Sequence, residues 1–277
     1  MNNNHKLRVV TTADGPMASL DYSVLTFSGG EVHVRILEPN EAPGQVFEIT
    51  ARLHGSVEIM ELLLLTDALR RMSAGAKVRL VCAYFPYARQ DRVCAPGEAL
   101  SLRVVADLIN AQGYESVEVW DAHSDVTGAV LNRMISVPAL HFVRQLDLLA
   151  RADKPLLVAP DAGALKKASS IAKAIGTQWV RADKSRDPAT GDITGTVVYS
   201  DHVGQRDFLI IDDICDGGRT FIALAEALRP LTDGKVYLYV THGIFSAGYD
   251  ALTAAIDGIY TANSFRPAGE HPQVINL

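Results

Sequence analysis

Short apolar runs alternate along this chain with longer segments whose apolar positions recur at helical spacing. The runs predict strands at Leu7–Val10, Ser23–Phe27, Val32–Ile36, Val46–Ile49, Val78–Cys82 and Val117–Trp120. A second series follows at Pro155–Val158, Gln178–Val180, Thr196–Tyr199, Phe208–Ile211, Val236–Val240 and Gly258–Tyr260. Helices are predicted over Val57–Met72, Ala99–Gln112, Leu140–Arg151, Gly163–Ile175, Phe221–Leu228 and Ala247–Ala254. Strands such as FLII and YLYV are apolar at every position, the pattern of parallel strands buried on both faces. The alternation occurs once before about Pro138 and once after it. We therefore expect two α/β domains, residues 1–138 and 139–277, with mainly parallel sheets and no Ser/Gly-rich linker between them. The first domain opens irregularly, because Leu7–Val10 reaches Ser23–Phe27 through TTADGPMASLDY without a convincing helix. In such sheets ligands sit beyond the carboxyl ends of the strands, so the residues that follow each strand carry the chemistry.

Composition narrows the class. A chain of 277 residues with 48% hydrophobic and 21% charged positions is globular rather than disordered or fibrous. Its net charge of −6 provides no overall positive field to draw it to nucleic acid or a membrane surface, so neither is an expected partner. The start, MNNNHKLRVVTT, lacks the apolar core of a signal peptide. The apolar stretch Ile59–Leu65 is interrupted by Glu61 and is too short to span a bilayer. Cys82, Cys94 and Cys215 lack metal-ligand spacing and read as reduced thiols of a cytoplasmic protein.

The strongest chemical signal is Leu209–Thr220, LIIDDICDGGRT. An apolar strand runs into Asp212 and Asp213, then Asp216, Gly217, Gly218, Arg219 and Thr220, and then the helix-compatible FIALAEAL. Glycines at a helix entrance let backbone N–H groups face an anion, where the helix dipole also favours negative charge. Two carboxylates just before that loop suit vicinal hydroxyls, so the segment reads as a site for a phosphorylated ribose. A helix capped by Asp216 explains one acid but not three.

Other strand ends add weaker signals. Tyr84–Arg92, YFPYARQDR, brings Arg89 and Arg92 beside Gln90 and Asp91, a set suited to a nucleoside polyphosphate. Asp121 and His123 follow one strand, and Asp161 follows the equivalent strand of the second domain. Imidazole and carboxylate at those places suit Mg²⁺, which takes few protein ligands. In RADKSR, Lys184 and Arg186 share a face if the piece is extended and could then cover transferring phosphoryl groups. On the residues alone a solvated loop is the favoured reading there.

Together these pieces resemble the 5-phosphoribosyl-1-pyrophosphate (PRPP) synthetase, or ribose-phosphate diphosphokinase, family. The resemblance runs from FSGGEVHV through IMELLLLTDALRR, YFPYARQDR, DAHS, VAPDAGALKKA and DKSR to IDDICDGGRT and VTHGIFS. It implies two tandem type I phosphoribosyltransferase-like domains, ATP-binding elements in the first and the ribose-phosphate loop in the second. By resemblance, Asp212, Asp213, Asp216, Gly217, Gly218, Arg219 and Thr220 hold ribose phosphate. Arg89, Gln90, Asp91 and Arg92 contact ATP, and His123 and Asp161 bind Mg²⁺. Lys184, Arg186 and His123 are the implied catalytic set, which replaces the bland reading of RADKSR. Phe27 and Glu31 match a loop lent to the adenine pocket of a neighbouring subunit, so a homo-oligomer is implied, a dimer or hexamer. The implied reaction moves the β,γ-diphosphate of ATP to the anomeric hydroxyl of ribose 5-phosphate, giving PRPP and AMP.

Four departures from the family pattern bear on specificity and assembly. The sugar-phosphate loop has Gly217 in place of a hydroxyl donor and gains Arg219, so the same chemistry on ADP-ribose, giving ADP-ribose pyrophosphate, is the alternative. Gly29 stands where the adenine loop usually has Asp or Asn. Val93–Pro96, VCAP, replaces basic residues, which argues against regulation by phosphate and ADP there. The family's first long helix is missing. Two other classes compete: a phosphoribosyltransferase would not need YARQDR, and a non-catalytic homologue should have lost some of Lys184, Arg186 and His123.

Overall fold

A computed structural model describes residues 7–11, 18–39, 43–186, 193–267 and 269–277. It divides into two units, Met1–Val137 and Pro138–Leu277.

The first unit contains β1 (Leu7–Thr11), β2 (Ala18–Leu20), β3 (Tyr22–Thr26), β4 (Val32–Ile36), β5 (Val46–Ala51), α1 (Ser56–Met72), β6 (Lys77–Val81), α2 (Ser101–Ala111), β7 (Ser116–Trp120), α3 (Asp125–Val130) and β8 (Met134–Val137). Its six-stranded sheet has the order β2-β1-β5-β6-β7-β8. The β5 to β8 pairings are parallel, and β1 runs antiparallel to both neighbours. Helix α1 forms because Ile59, Leu62, Leu65 and Leu69 recur on one face, and all four are buried against the sheet. Strands β3 and β4 form a separate hairpin whose Tyr22, Val34 and Ile36 join that core. Its tip, residues 27–31, closes through Gly30 N–H to Phe27 O at 2.8 Å.

The second unit contains α4 (Ala139–Val143), β9 (Leu156–Ala159), α5 (Leu165–Ile175), β10 (Trp179–Arg186), β11 (Ile193–Val198), β12 (Phe208–Cys215), α6 (Arg219–Leu228), β13 (Val236–Gly243), α7 (Asp250–Ala255), β14 (Gly258–Ser264) and β15 (Val274–Asn276). The sheet order is β11-β10-β9-β12-β13-β14-β15. Among the described residues of this sheet only the β10–β11 pair is antiparallel. The chain leaves β9 towards β10 on one side, while β12 and β13 lie on the other. The crevice between the carboxyl ends of β9 and β12 is therefore a topological switch point, the place where open α/β sheets bind ligands. The mixed α/β class with mainly parallel sheets agrees with the sequence reading.

Three local expectations change. The helix expected over Leu140–Arg151 is broken into α4 and a 3₁₀ turn at Asp147–Ala150. Leu146 is extended, and Asp147 Oδ1 accepts from Leu148 N–H (3.0 Å) and Tyr260 O–H (2.8 Å), so a side chain competes with helix continuation. RADKSR is not a loop: β10 continues through Arg186 because β11 offers a partner ladder. Strand β12 likewise runs on through DDIC, because β13 stays paired to it as far as Cys215↔Gly243. Among the described residues no helix is long and apolar enough to cross a membrane.

Candidate active site

At the switch point of the second unit, the carboxyl half of β12 carries two consecutive acids, Asp212 and Asp213. Asp213 is buried, and Asp212 Oδ1 accepts the Asp213 backbone N–H at 2.9 Å. Burial, the Asp213 charge and a hydrogen bond shared with Asp213 push the Asp212 carboxyl well above the usual carboxylate range. Lys167, on α5, pulls the other way, with Nζ 3.9 Å from Asp213 Oδ1. The neighbouring Cys215 thiol is pushed up to about 12 by burial and by Asp212 and Asp216, so it is a neutral packing group.

The loop that follows is shaped from the next strand. Asp216 Oδ1 accepts the Ser246 hydroxyl at 2.7 Å, and Asp216 O accepts Ser246 N–H at 3.2 Å. Asp216 thereby spends one carboxylate oxygen on the turn after β13, two residues before the N-cap of α6. The N-cap position is Gly218, at φ +81°, which has no side chain to offer the first turn. A Cβ on Gly218 would lie 2.8 Å from Leu252, so both backbone and space require glycine. Gly217 is different: an added Cβ would meet only Ser246 Oγ, at an ordinary 3.8 Å. Arg219 and Thr220 belong to the first turn of α6 rather than to the loop, with Arg219 exposed. The turn after β13 is held by Phe245, whose ring occupies the place where a Cβ on Gly243 would stand.

Asp161 follows β9, on the other side of the crevice. Its Oδ1 accepts Gly163 N–H at 3.0 Å and starts the turn leading into α5. The β10 backbone is extended through Lys184 and Arg186, with a register shift between Ser185 and Arg186. The side chains of these two residues lie outside the described part of the structure.

In the first unit the segment after β6 folds tightly. Tyr87 has φ +61°, its hydroxyl lies 2.9 Å from Ser56 Oγ, and Gln90 N–H closes onto Tyr87 O at 3.0 Å. This presents Arg89, Gln90 and Arg92 to solvent and buries Asp91. Burial alone would raise the Asp91 carboxyl. The Ser124 hydroxyl, Arg92 (Nε 3.1 Å from Oδ1) and the His123 charge outweigh it and hold the group below its ordinary value. Asp91 thereby links YARQDR to the loop carrying His123, which is itself exposed. Asp121 begins that loop in left-handed backbone, φ +42°, with its N–H on Val137 O at 2.7 Å.

A cleft of about 440 Å³ lies against this segment, lined by His54, Gly55, Tyr84, Pro86, Tyr87, Arg89 and Gln90. His54 and Gly55 follow β5 and carried no sequence signal. Phe85, one of the aromatic residues of the motif, faces the core instead. At the hairpin tip Phe27 is 50% exposed and Glu31 is also exposed. Among the described residues no three His, Cys, Asp or Glu side chains converge as a metal cluster.

Comparison with known proteins gives one consistent answer. Residues 1–113 match the N-terminal domain of ribose phosphate pyrophosphokinase. Ribose-phosphate pyrophosphokinase of Haemophilus influenzae is 33% identical over 266 residues, covering 92% of this chain and 82% of that protein. The enzyme of the same name from Thermococcus kodakarensis is 31% identical over 248 residues, covering 88% and 86%. Phosphoribosylpyrophosphate synthetase from Mycobacterium smegmatis shares the fold, with a TM-score of 0.79 at 24% identity over 94% of this chain and 86% of that one.

Proposed function

The chain belongs to the ribose-phosphate pyrophosphokinase family, and from that membership we propose that it transfers the β,γ-diphosphate of ATP to the anomeric hydroxyl of ribose 5-phosphate, giving PRPP and AMP. The observation that carries this reading is the end of β12, where an acid pair, Asp213 buried and Asp212 half-buried, precedes a helix whose N-cap is a glycine. Asp212 and Asp213 accept the sugar's vicinal hydroxyls. The Asp216–Gly218 turn and the N-terminus of α6, with Arg219 and Thr220, receive the 5-phosphate. Arg89, Gln90 and Arg92 bind the nucleotide in the cleft after β6, with Asp91 holding Arg92 and the His123 loop in place. Phe27 and Glu31, on an exposed hairpin tip, suit a role at a neighbouring subunit's adenine pocket in a homo-oligomer, a dimer or hexamer.

The Asp161 carboxylate, a hard oxygen donor, and the exposed His123 imidazole each stand at a strand end of their own unit, and each could serve as one protein ligand of a Mg²⁺ that takes most of its shell from water and phosphate oxygens. When bound there, the ion would supply charge neutralisation on the diphosphate. Lys184 and Arg186, on the β10 arm, stabilise charge that develops as the diphosphate moves. The residues thus act by positioning and electrostatics, as in phosphoryl transfer generally.

A second reading is favoured at one place. Gly217 leaves room at the phosphate turn, and Arg219 adds an exposed cation beside it. Both suit a ribose whose 5-phosphate is further substituted, such as ADP-ribose. The test is AMP release from ATP and Mg²⁺ with each sugar in turn. Release with neither sugar rejects the pyrophosphokinase reading, and a strong preference for ribose 5-phosphate rejects the second.

A further inference from the structure

Within the reading of Asp212 and Asp213 as the acceptors of the ribose hydroxyls, we propose that Lys167 is a positioning residue that sets the charge of this carboxylate pair. Lys167 sits in the first turn of α5, the helix entered from the Asp161 turn. Its side chain is only 22% exposed, that of Asp213 only 11%, and Nζ stands 3.9 Å from Asp213 Oδ1. That separation is too long for a strong hydrogen bond, so the ammonium acts as a nearby charge.

The pair needs such a charge. Two adjacent carboxylates taken from water repel each other, and one proton held between them relieves the repulsion. A pair holding that proton keeps acceptor oxygens but has lost half its charge, so it binds two vicinal hydroxyls more weakly than two full carboxylates do. The groups next along the chain do not help. The Cys215 thiol is neutral, and Asp216 is a third acid, engaged by Ser246. Among the described residues Lys167 is the group whose charge opposes protonation of Asp212. The sign follows: removing Lys167 raises the pH at which the pair becomes fully ionised, so sugar binding weakens on the acid side.

The test compares wild-type protein, Lys167→Met and Lys167→Arg, assayed for AMP release with ATP, Mg²⁺ and the sugar phosphate across pH, with calorimetric titration of ribose 5-phosphate alongside. For Lys167→Met the acid limb of kcat/KM for the sugar should move up by about one pH unit, about a tenfold loss at a fixed pH on that limb. The loss should appear in KM and in the calorimetric affinity, with kcat at saturating sugar within about twofold of wild type. Lys167→Arg should restore the limb. An unmoved limb, an equal loss at every pH, or failure of Lys167→Arg to rescue would overturn the proposal. Asp213→Ala tests the underlying reading separately. If that variant keeps its sugar affinity, the reading fails; if it loses affinity while Lys167→Met leaves the limb in place, only the role of Lys167 fails.

Discussion

The two units end their central strands in opposite ways. After β6, cations stand in solvent and one acid is buried among partners that hold it ionised. After β12, two acids stand together with Lys167 opposing their protonation, and the adjoining helix starts at a glycine. The sheets explain part of this. In the first unit β5 to β8 proceed in one direction, so no switch-point crevice opens among them. In the second, the chain reverses around β9 and β12 and opens one. A surface of exposed guanidiniums suits a flexible polyanion that arrives with its own charge. A buried acid pair suits a neutral diol, which can approach only if its hydroxyls replace the water those acids lost.

Four experiments would break or sharpen that contrast. The largest effect is expected for Asp213→Ala, which should lower kcat/KM for the ribose phosphate on the order of 10³-fold while KM for ATP stays near wild type. Equal losses for both substrates would mean that the acids do not discriminate between the two sites. Next, Gly218→Ala should cost about 3 kcal/mol of folding stability in urea titration, because a side chain there meets both a left-handed backbone and Leu252. The same change at Gly217, where there is room, should cost under about 1 kcal/mol.

Arg89→Ala should raise KM for ATP by about tenfold to a hundredfold and leave sugar binding unchanged, as measured by initial rates. The smallest effects differ in sign. Asp91 has a lowered carboxyl, so its stabilising contribution is full above the unfolded value and is lost as pH falls through the folded one. Asp91→Asn should therefore lose on the order of 1 kcal/mol at neutral pH, a difference that begins to shrink near the ordinary carboxylate value of about 4 and is lost only as pH falls through the lower folded value. Asp212 has a raised carboxyl, so its ionisation opposes folding as pH rises through the folded value. Asp212→Asn should therefore raise the unfolding midpoint at about pH 8 by the equivalent of about 1 kcal/mol, while abolishing sugar binding. If both variants destabilise, the electrostatic contrast between the units is wrong.

The alternation of apolar runs with helical spacing was enough to determine the α/β class and the parallel sheets, since only strands buried on both faces read like FLII and YLYV. Residue type and order likewise marked Asp212, Asp213, Asp216 and the glycines, along with YARQDR, because polar groups placed directly after buried strands are visible in one dimension. Tertiary structure decided what depends on partners distant in sequence. Ser246 takes one oxygen of Asp216, and Leu252 makes Gly218 indispensable. Asp91 and His123 share one electrostatic neighbourhood although a strand and a helix separate them in the chain. The β11 ladder keeps RADKSR extended where its composition reads as loop. Lys167 acquires meaning only when α5 carries it to the acid pair on β12. Burial and charge neighbourhood are properties of distance in space, and a linear pattern encodes them only where the neighbours are also close along the chain.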